Sequence, residues 1–214
     1  MKKEELNKYL LERIELAMNK EVTDALSYTN GILFHGVPSS LSESDHINWA
    51  SEDKMLVVKN AITKYTANEL IFNQTNDGLI GVSEKEYTLL FNNGIIEAFS
   101  TRVVRQTPIN FPPKIRYVQV EAVVENTMKF IEYLMELSEN VSAGKVSFDM
   151  YISLIGIKGV VFNVTEKDYT TTVNFPDDTL MFQINDINGR KKEDILESIK
   201  DSFDKTLFQF EPVV

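Results

Sequence analysis

Few side chains in this chain have chemistry to offer, and they fall in three places. His46 follows Glu43 and Asp45, a grouping that on paper could gather a divalent cation. The stretch is Ser-rich and acidic, however, and neighbouring acids in such a loop are normally solvated side by side, so no metal site is expected. His35 stands between Phe34 and Gly36 at the end of an apolar run. It reads as a core-edge histidine donating to a carbonyl, with a binding role as the alternative. Glu97 interrupts the otherwise apolar return strand of "YTLLFNNGIIEAF" (Tyr87 to Phe99). A carboxylate drawn into a core needs a cation or backbone donors. Arg102 and Arg105, on the same stretch, are its expected partners, in an ion pair at a sheet edge.

The third place is basic. Between Ala98 and Val120 stand Arg102, Arg105, Lys114 and Arg116 and no acid, in a chain of net charge −10. On one face these cations would form an anion-binding strip, with Phe111 and Tyr117 near enough to stack on a base. The plainer expectation is that they pair with acids elsewhere in the fold. The overall charge repels phosphate backbones and disfavours nucleic-acid binding by the chain as a whole.

Other chemistries find no support. There is no Gly-x-Ser-x-Gly elbow and no Ser-x-x-Lys. The glycines of "GLIGVSEK" have the spacing of neither the dinucleotide fingerprint nor a P-loop. Carboxylates are dense enough to supply an acid and a base, but so are those of any acidic protein. Cysteine is absent, which removes thiolate nucleophiles, thiolate metal ligands and disulfides together. No catalytic residue, metal or cofactor is therefore expected. The lack of cysteine fits a reducing compartment, so a cytoplasmic protein is expected. Charges interrupt the apolar residues of the first twenty positions, unlike a signal peptide. No window reaches the roughly 20 apolar residues of a membrane span.

The elements that must position these residues follow from periodicity. Leu6, Tyr9, Leu10, Ile14 and Ala17 predict a helix over 3–19. "ILFHGV" is a buried strand ended by Pro38, and a polar loop follows. "MLVVKNAITKY" fits helix and strand equally badly. Residues 67–104 read as a β-meander, with turns at Asn76-Asp77-Gly78 and Asn92-Asn93-Gly94. Tyr87, Leu89 and Phe91 share one face by alternation. "RQTPINFPPKIR" holds three of the six prolines and reads as an extended connector. The strongest helix runs from Gln119 to about Glu139. Two strands lie around Gly156 to Gly159, another at "DTLMFQINDI", and a last helix carries Ile195, Leu196, Ile199 and Phe203 beyond Asn188-Gly189. Together these predict an α+β domain spanning 1–214: a largely antiparallel sheet with a β-meander, and about three helices on one face.

Five segments in order, "ERIELAM", "ILFHGVPSS", "FNQTNDGL", "YTLLFNNGIIEA" and "VSFDMYISLIGIKGVVF", resemble one family. It is the region downstream of the DNA-binding domain in bacterial Schlafen/AlbA-type proteins, often labelled ATP-binding. The resemblance covers about residues 11–165 and leaves 166–214 as a C-terminal extension. It implies an accessory module: regulatory, sensory or protein-interacting, with a protein or further copies of the chain as partner. A carboxylate recurs at the place of Glu97 in the related hairpins. Two features depart from the pattern. The DNA-binding module itself is absent, and Asn92 stands where relatives often carry arginine, so the family's dealings with DNA or nucleotide do not transfer. Nucleic-acid or nucleotide binding through the 102–116 strip is the second expectation. A hydrolase or nuclease built on the carboxylates and an acidic phage- or defence-related partner-binding factor rank behind it.

Overall fold

The computed structural model describes residues 3–26, 29–39, 49, 51–66, 69–106, 116–142, 146–166, 169–185, 187 and 190–207. Helix α1 (Lys3–Met18) and strand β1 (Gly31–Pro38) come first, followed by helix α2 (Glu52–Tyr65). The meander is β2 (Ile71–Gln74), β3 (Gly78–Val82), β4 (Glu86–Phe91) and β5 (Ile96–Ser100). Two short strands, β6 (Val104–Gln106) and β7 (Arg116–Gln119), lead into the long helix α3 (Val120–Ser142). Then come β8 (Phe148–Ile155), β9 (Val161–Glu166), β10 (Tyr169–Asn174), β11 (Thr179–Ile184) and α4 (Lys192–Leu207).

The strands form two sheets. Seven stand in the order β11-β8-β1-β5-β4-β3-β2, every neighbouring pair antiparallel. Four stand in the order β10-β9-β7-β6, where β7 and β9 run parallel. The fold is α+β, dominated by the antiparallel sheet and its meander. Four helices are present among the described residues, the one beyond expectation being α2. Its buried residues Val58, Ala61, Ile62 and Tyr65 have helical spacing. The exposed Leu56 lies off that stripe, and the half-buried Met55 and Val57 pack at its flanks, which blurs the period in the sequence.

The helices cover both faces of the large sheet, not one. All eight residues of β1 are buried, as a strand covered on both sides requires. Ile32 and Phe34 face α2 and α3, where Phe34 stacks on Phe130 at 4.8 Å between ring centroids. Leu33 and Val37 face α1, whose Leu10, Ile14 and Ala17 are buried against them with Tyr87, Leu89, Phe91, Ile95 and Phe99. The alternation of Tyr87, Leu89 and Phe91 is thus as expected. The core beneath α2 and α3 also takes in Val103, Val118, Val160, Ile195 and Ile199, so it continues under the smaller sheet and α4.

The β4–β5 hairpin turns where Asn-Gly predicts it. Gly94 has φ 83° and its N–H reaches the Phe91 carbonyl at 2.9 Å, while the Ile95 N–H is capped by Asn93 Oδ1 at 3.1 Å. Asn92 ties this turn to its neighbour, its N–H donating to Asp77 O at 2.8 Å and its Nδ2 to Asn76 O at 3.3 Å. The proline-bearing segment is not only a connector: its two ends are β6 and β7, paired antiparallel. Its middle, 107–115 with Phe111 and Lys114, lies outside the described residues, as do Glu43, Asp45, His46, Asn188 and Gly189. Strand β10 was not foreseen, because "YTTTVN" lacks an apolar alternation.

Candidate functional site

Glu97 lies in the middle of the large sheet rather than at its edge. On β5 it pairs with His35 of β1 on one side and Leu89 of β4 on the other. Its side chain is 0% exposed and points beneath α1. The cation it meets is Arg13, not Arg102 or Arg105. Arg13 Nε donates to Oε2 and Nη2 to Oε1, both at 2.7 Å, in a bidentate fork. Tyr87 Oη donates to Oε1 at 2.7 Å and His35 Nε2 to Oε2 at 3.1 Å. His35 therefore donates to a carboxylate, where a carbonyl was expected, and it stands on a central strand with 0% exposure. The Arg13 guanidinium also lies over the Phe91 ring, 5.2 Å from its centroid.

These contacts set the charge states. Burial alone pushes the Glu97 carboxyl up, but the bonds from Arg13 and His35 outweigh it and hold the pKa at about 2. The Tyr87 phenol is driven well above its ordinary value by burial and then by Glu97. Glu97 is thus a permanent carboxylate whose four hydrogen bonds come from one helix and two strands. Arg102 does not reach this hub. It lies beyond Ser100, the last residue of β5, in the turn toward β6, and Glu86 holds it on the other face of the sheet.

On that other face Arg102 meets Glu86 instead, Nη2 donating to Oε1 at 2.5 Å. Glu86 opens β4 opposite Ser100 in the β4–β5 register and is 4% exposed at its side chain. So the expectation of pairing with acids elsewhere holds for Arg102. For the others the strip reading is nearer. Arg102, Arg105 and Arg116 line one cavity of about 680 Å³ together with Lys85. Asn30, Thr101, Gln106 and Val104 complete the lining among the described residues.

The cleft has a simple origin in the chain path. The Thr101 N–H bonds to Lys85 O at 3.0 Å, which brings the β3–β4 connection beside the end of β5. The β6–β7 register then sets Gln106 opposite Arg116 and Arg105 opposite Tyr117. Arg116 is steadied by the Lys158 carbonyl at 3.2 Å from its Nη2. No carboxylate lines the cleft among the described residues. Glu125 lies within reach of Arg105, but its carboxyl is held below its ordinary value chiefly by Lys129. Tyr117, expected to stack on a base, pairs with Arg105 across the β6–β7 ladder and is not part of the lining.

The structure therefore separates the expected site residues. Glu97 and His35 share the sealed hub, Arg102, Arg105 and Arg116 share the cleft, and Lys114 is not described. Arg13 and Lys85 were not foreseen. Arg13 follows Leu10 by three positions and so borders the buried stripe of α1, the one local sign of its role. No group of acids and histidines able to hold a metal ion is present among the described residues, and no helix among them is long and apolar enough to cross a membrane. Neither protein-family models, nor curated proteins, nor solved structures give any match to the chain.

Proposed function

We propose that this chain is a non-catalytic binding module of the Schlafen-like accessory kind, and that the basic cleft is where it holds an anionic ligand or the anionic part of a partner. The observation that supports this is the convergence of Lys85, Arg102, Arg105 and Arg116 on one cavity in a chain of net charge −10. Like charges placed together cost electrostatic energy unless something of opposite sign is there to meet them. Arginine forks are suited to phosphate and carboxylate groups because two parallel N–H donors match two oxygens.

The hub supports the non-catalytic part of this reading. A general acid or base must have a proton to exchange with a substrate and a route to it. Glu97 is held at about pKa 2, is 0% exposed and is bonded to Arg13, Tyr87 and His35. Such a carboxylate is suited to locking α1 onto the sheet. A protein-interaction role is compatible with the same cleft, since an acidic peptide presents the same oxygen pairs.

The test is binding at low ionic strength. The purified chain is titrated with inorganic phosphates, single-stranded oligonucleotides and an acidic peptide, and compared with Arg105→Ala and Arg116→Ala. Binding of at least one anion, weakened by salt and by both substitutions, is expected. Failure of every anion at about 50 mM salt, where screening is still weak, would remove the proposal.

A further inference from the structure

We infer that Glu86, standing behind the cleft, is its positioning residue and aims the Arg102 guanidinium at the bound anion; the inference rests on the anion-binding reading above. The pair is asymmetric in the way this requires. Arg102 Nη2 donates to Glu86 Oε1 at 2.5 Å, and the two side chains are 32% and 4% exposed. Arg102 lines the cavity, whereas Glu86 is not in the lining among the described residues. A guanidinium is a rigid plane of N–H donors, so bonding one nitrogen fixes the directions in which the others point. Arg102 is also tied at its root. Its N–H reaches Ser100 Oγ at 3.4 Å, and Ser100 is the residue opposite Glu86 in the β4–β5 register. Both ends of the side chain are thus fixed to one pair of the ladder. A long side chain held at both ends has lost much of its rotamer freedom before a ligand arrives, which lowers the cost of binding.

Glu86 is itself held firmly. Its carbonyl accepts from the Ser83 N–H at 2.8 Å and from Ser83 Oγ at 3.2 Å, which closes the β3–β4 turn. That turn gives consecutive residues to the two sides of the wall: Lys85 lines the cleft and Glu86 is buried behind it. The Lys85 carbonyl accepts from the Thr101 N–H at 3.0 Å, so the turn is also joined to the residue before Arg102. Drawing Arg102 off Glu86 would take a charge-assisted bond from a carboxylate with little water to turn to. The anion therefore meets Arg102 where Glu86 holds it. Charge alone argues the opposite sign, because Glu86 is a negative charge near an anion site and its removal would tighten binding. Position and charge can be separated by experiment.

The experiment is calorimetric titration of the full chain with inorganic pyrophosphate, an acidic peptide and a single-stranded DNA of about 12 nucleotides, at about 50 mM salt. Glu86→Gln and Glu86→Leu remove the same charge, but the Gln amide oxygen still accepts from Arg102 and Leu offers no acceptor. For each anion the native chain binds, Glu86→Leu is expected to bind about fivefold more weakly than Glu86→Gln, the size of one net hydrogen bond. In an Arg102→Ala background that difference should vanish, an outcome that a merely structural role of Glu86 would not produce. Glu86→Asp gives a reading that does not depend on an apolar residue being tolerated there. It keeps the charge, draws the carboxylate back by one methylene, and is expected to bind about fivefold more weakly than the native chain. Thermal unfolding of each variant establishes that the titrated chain is folded. Equal affinity of Glu86→Gln and Glu86→Leu, a difference that persists without Arg102, or native affinity in Glu86→Asp overturns the inference and leaves the anion-binding reading standing. Silence of the native chain toward all three anions defeats both.

Discussion

Arg13→Met tests the hub directly. It removes the fork and keeps most of the side-chain bulk over Phe91. Glu97 is then left fully buried with His35 and Tyr87 as its remaining partners. Two routes give the size of the effect. Breaking a buried ion pair by removing one partner costs about 3–5 kcal/mol. Independently, Glu97 is lowered from 4.5 to about 2, and at about 1.4 kcal/mol per unit this corresponds to about 3 kcal/mol of stability tied to its ionised state. The routes agree on about 3 kcal/mol at pH 7, or a fall in midpoint of about 6–12 °C for a chain of this length.

The pH dependence gives the sharper readout. A carboxyl whose folded pKa lies below its unfolded value contributes stability that is complete above the unfolded value and is lost as the pH falls through the folded one. In the native chain this contribution is therefore present above about pH 4.5 and is lost between there and about pH 2. In Arg13→Met the largest influence left on Glu97 is burial, which raises its pKa and favours the protonated form. The deficit of the variant should then be largest near neutrality and shrink as the solution is acidified. Urea unfolding followed by circular dichroism at pH 7, 5 and 4 measures it. A loss below about 1 kcal/mol, or a deficit that does not change with pH, would refute the account of Glu97 as a buried carboxylate held by Arg13.

Two further substitutions probe other joints. Arg102→Ala removes the guanidinium bonded to the buried Glu86, and since Arg102 is itself about one-third exposed the loss is expected at about 1–2 kcal/mol; denaturant unfolding at pH 7 checks it, and no loss would mean that Glu86 is held without Arg102. Gly78→Ala would set a Cβ 1.8 Å from the Leu90 carbonyl at a φ of +157°, so the β3–β4 pairing must shift and a loss above about 1 kcal/mol is expected in the same assay. A neutral result there would show that the turn adapts freely.

The parts of the fold that were legible in the sequence are those fixed by neighbours in the chain. Asn92-Asn93-Gly94 specified its hairpin because the turn geometry is local. The stripes of α1 and α3 were visible because a helix repeats its buried face over several turns. Helices on both faces could have been read from β1, where Ile32, Leu33 and Phe34 are all apolar and leave neither side for water. Strands β6 and β7 were hidden because they have only three and four residues and flank a proline-bearing segment. The Glu97 partner was beyond reach for another reason. Arg13 and Glu97 are 84 positions apart, and only the docking of α1 across β1, β5 and β4 brings them together. The nearer candidates Arg102 and Arg105 were attractive by sequence distance alone, but Arg102 lies past the end of β5, where Glu86 takes it.

The β4–β5 hairpin joins the two sites and assigns different work to its two acids. Glu97 faces α1, and Glu86, at the other end and on the other face, holds Arg102 in the wall of the cleft. Each acid is buried, and each is matched to a guanidinium. The consequences differ because one arginine faces the interior and the other faces a cavity. Arg102 shares its charge with Glu86, so it offers a ligand a fixed direction more than a net attraction. Arg105 and Arg116 sit on the short strands β6 and β7, exposed, with no carboxylate ion pair among the described residues. Their charge is the part of the cleft left for a ligand. Substitutions should therefore sort into two kinds, with Arg13 and Arg102 felt mainly in stability and Arg105 and Arg116 mainly in affinity. The sorting follows from burial and pairing alone.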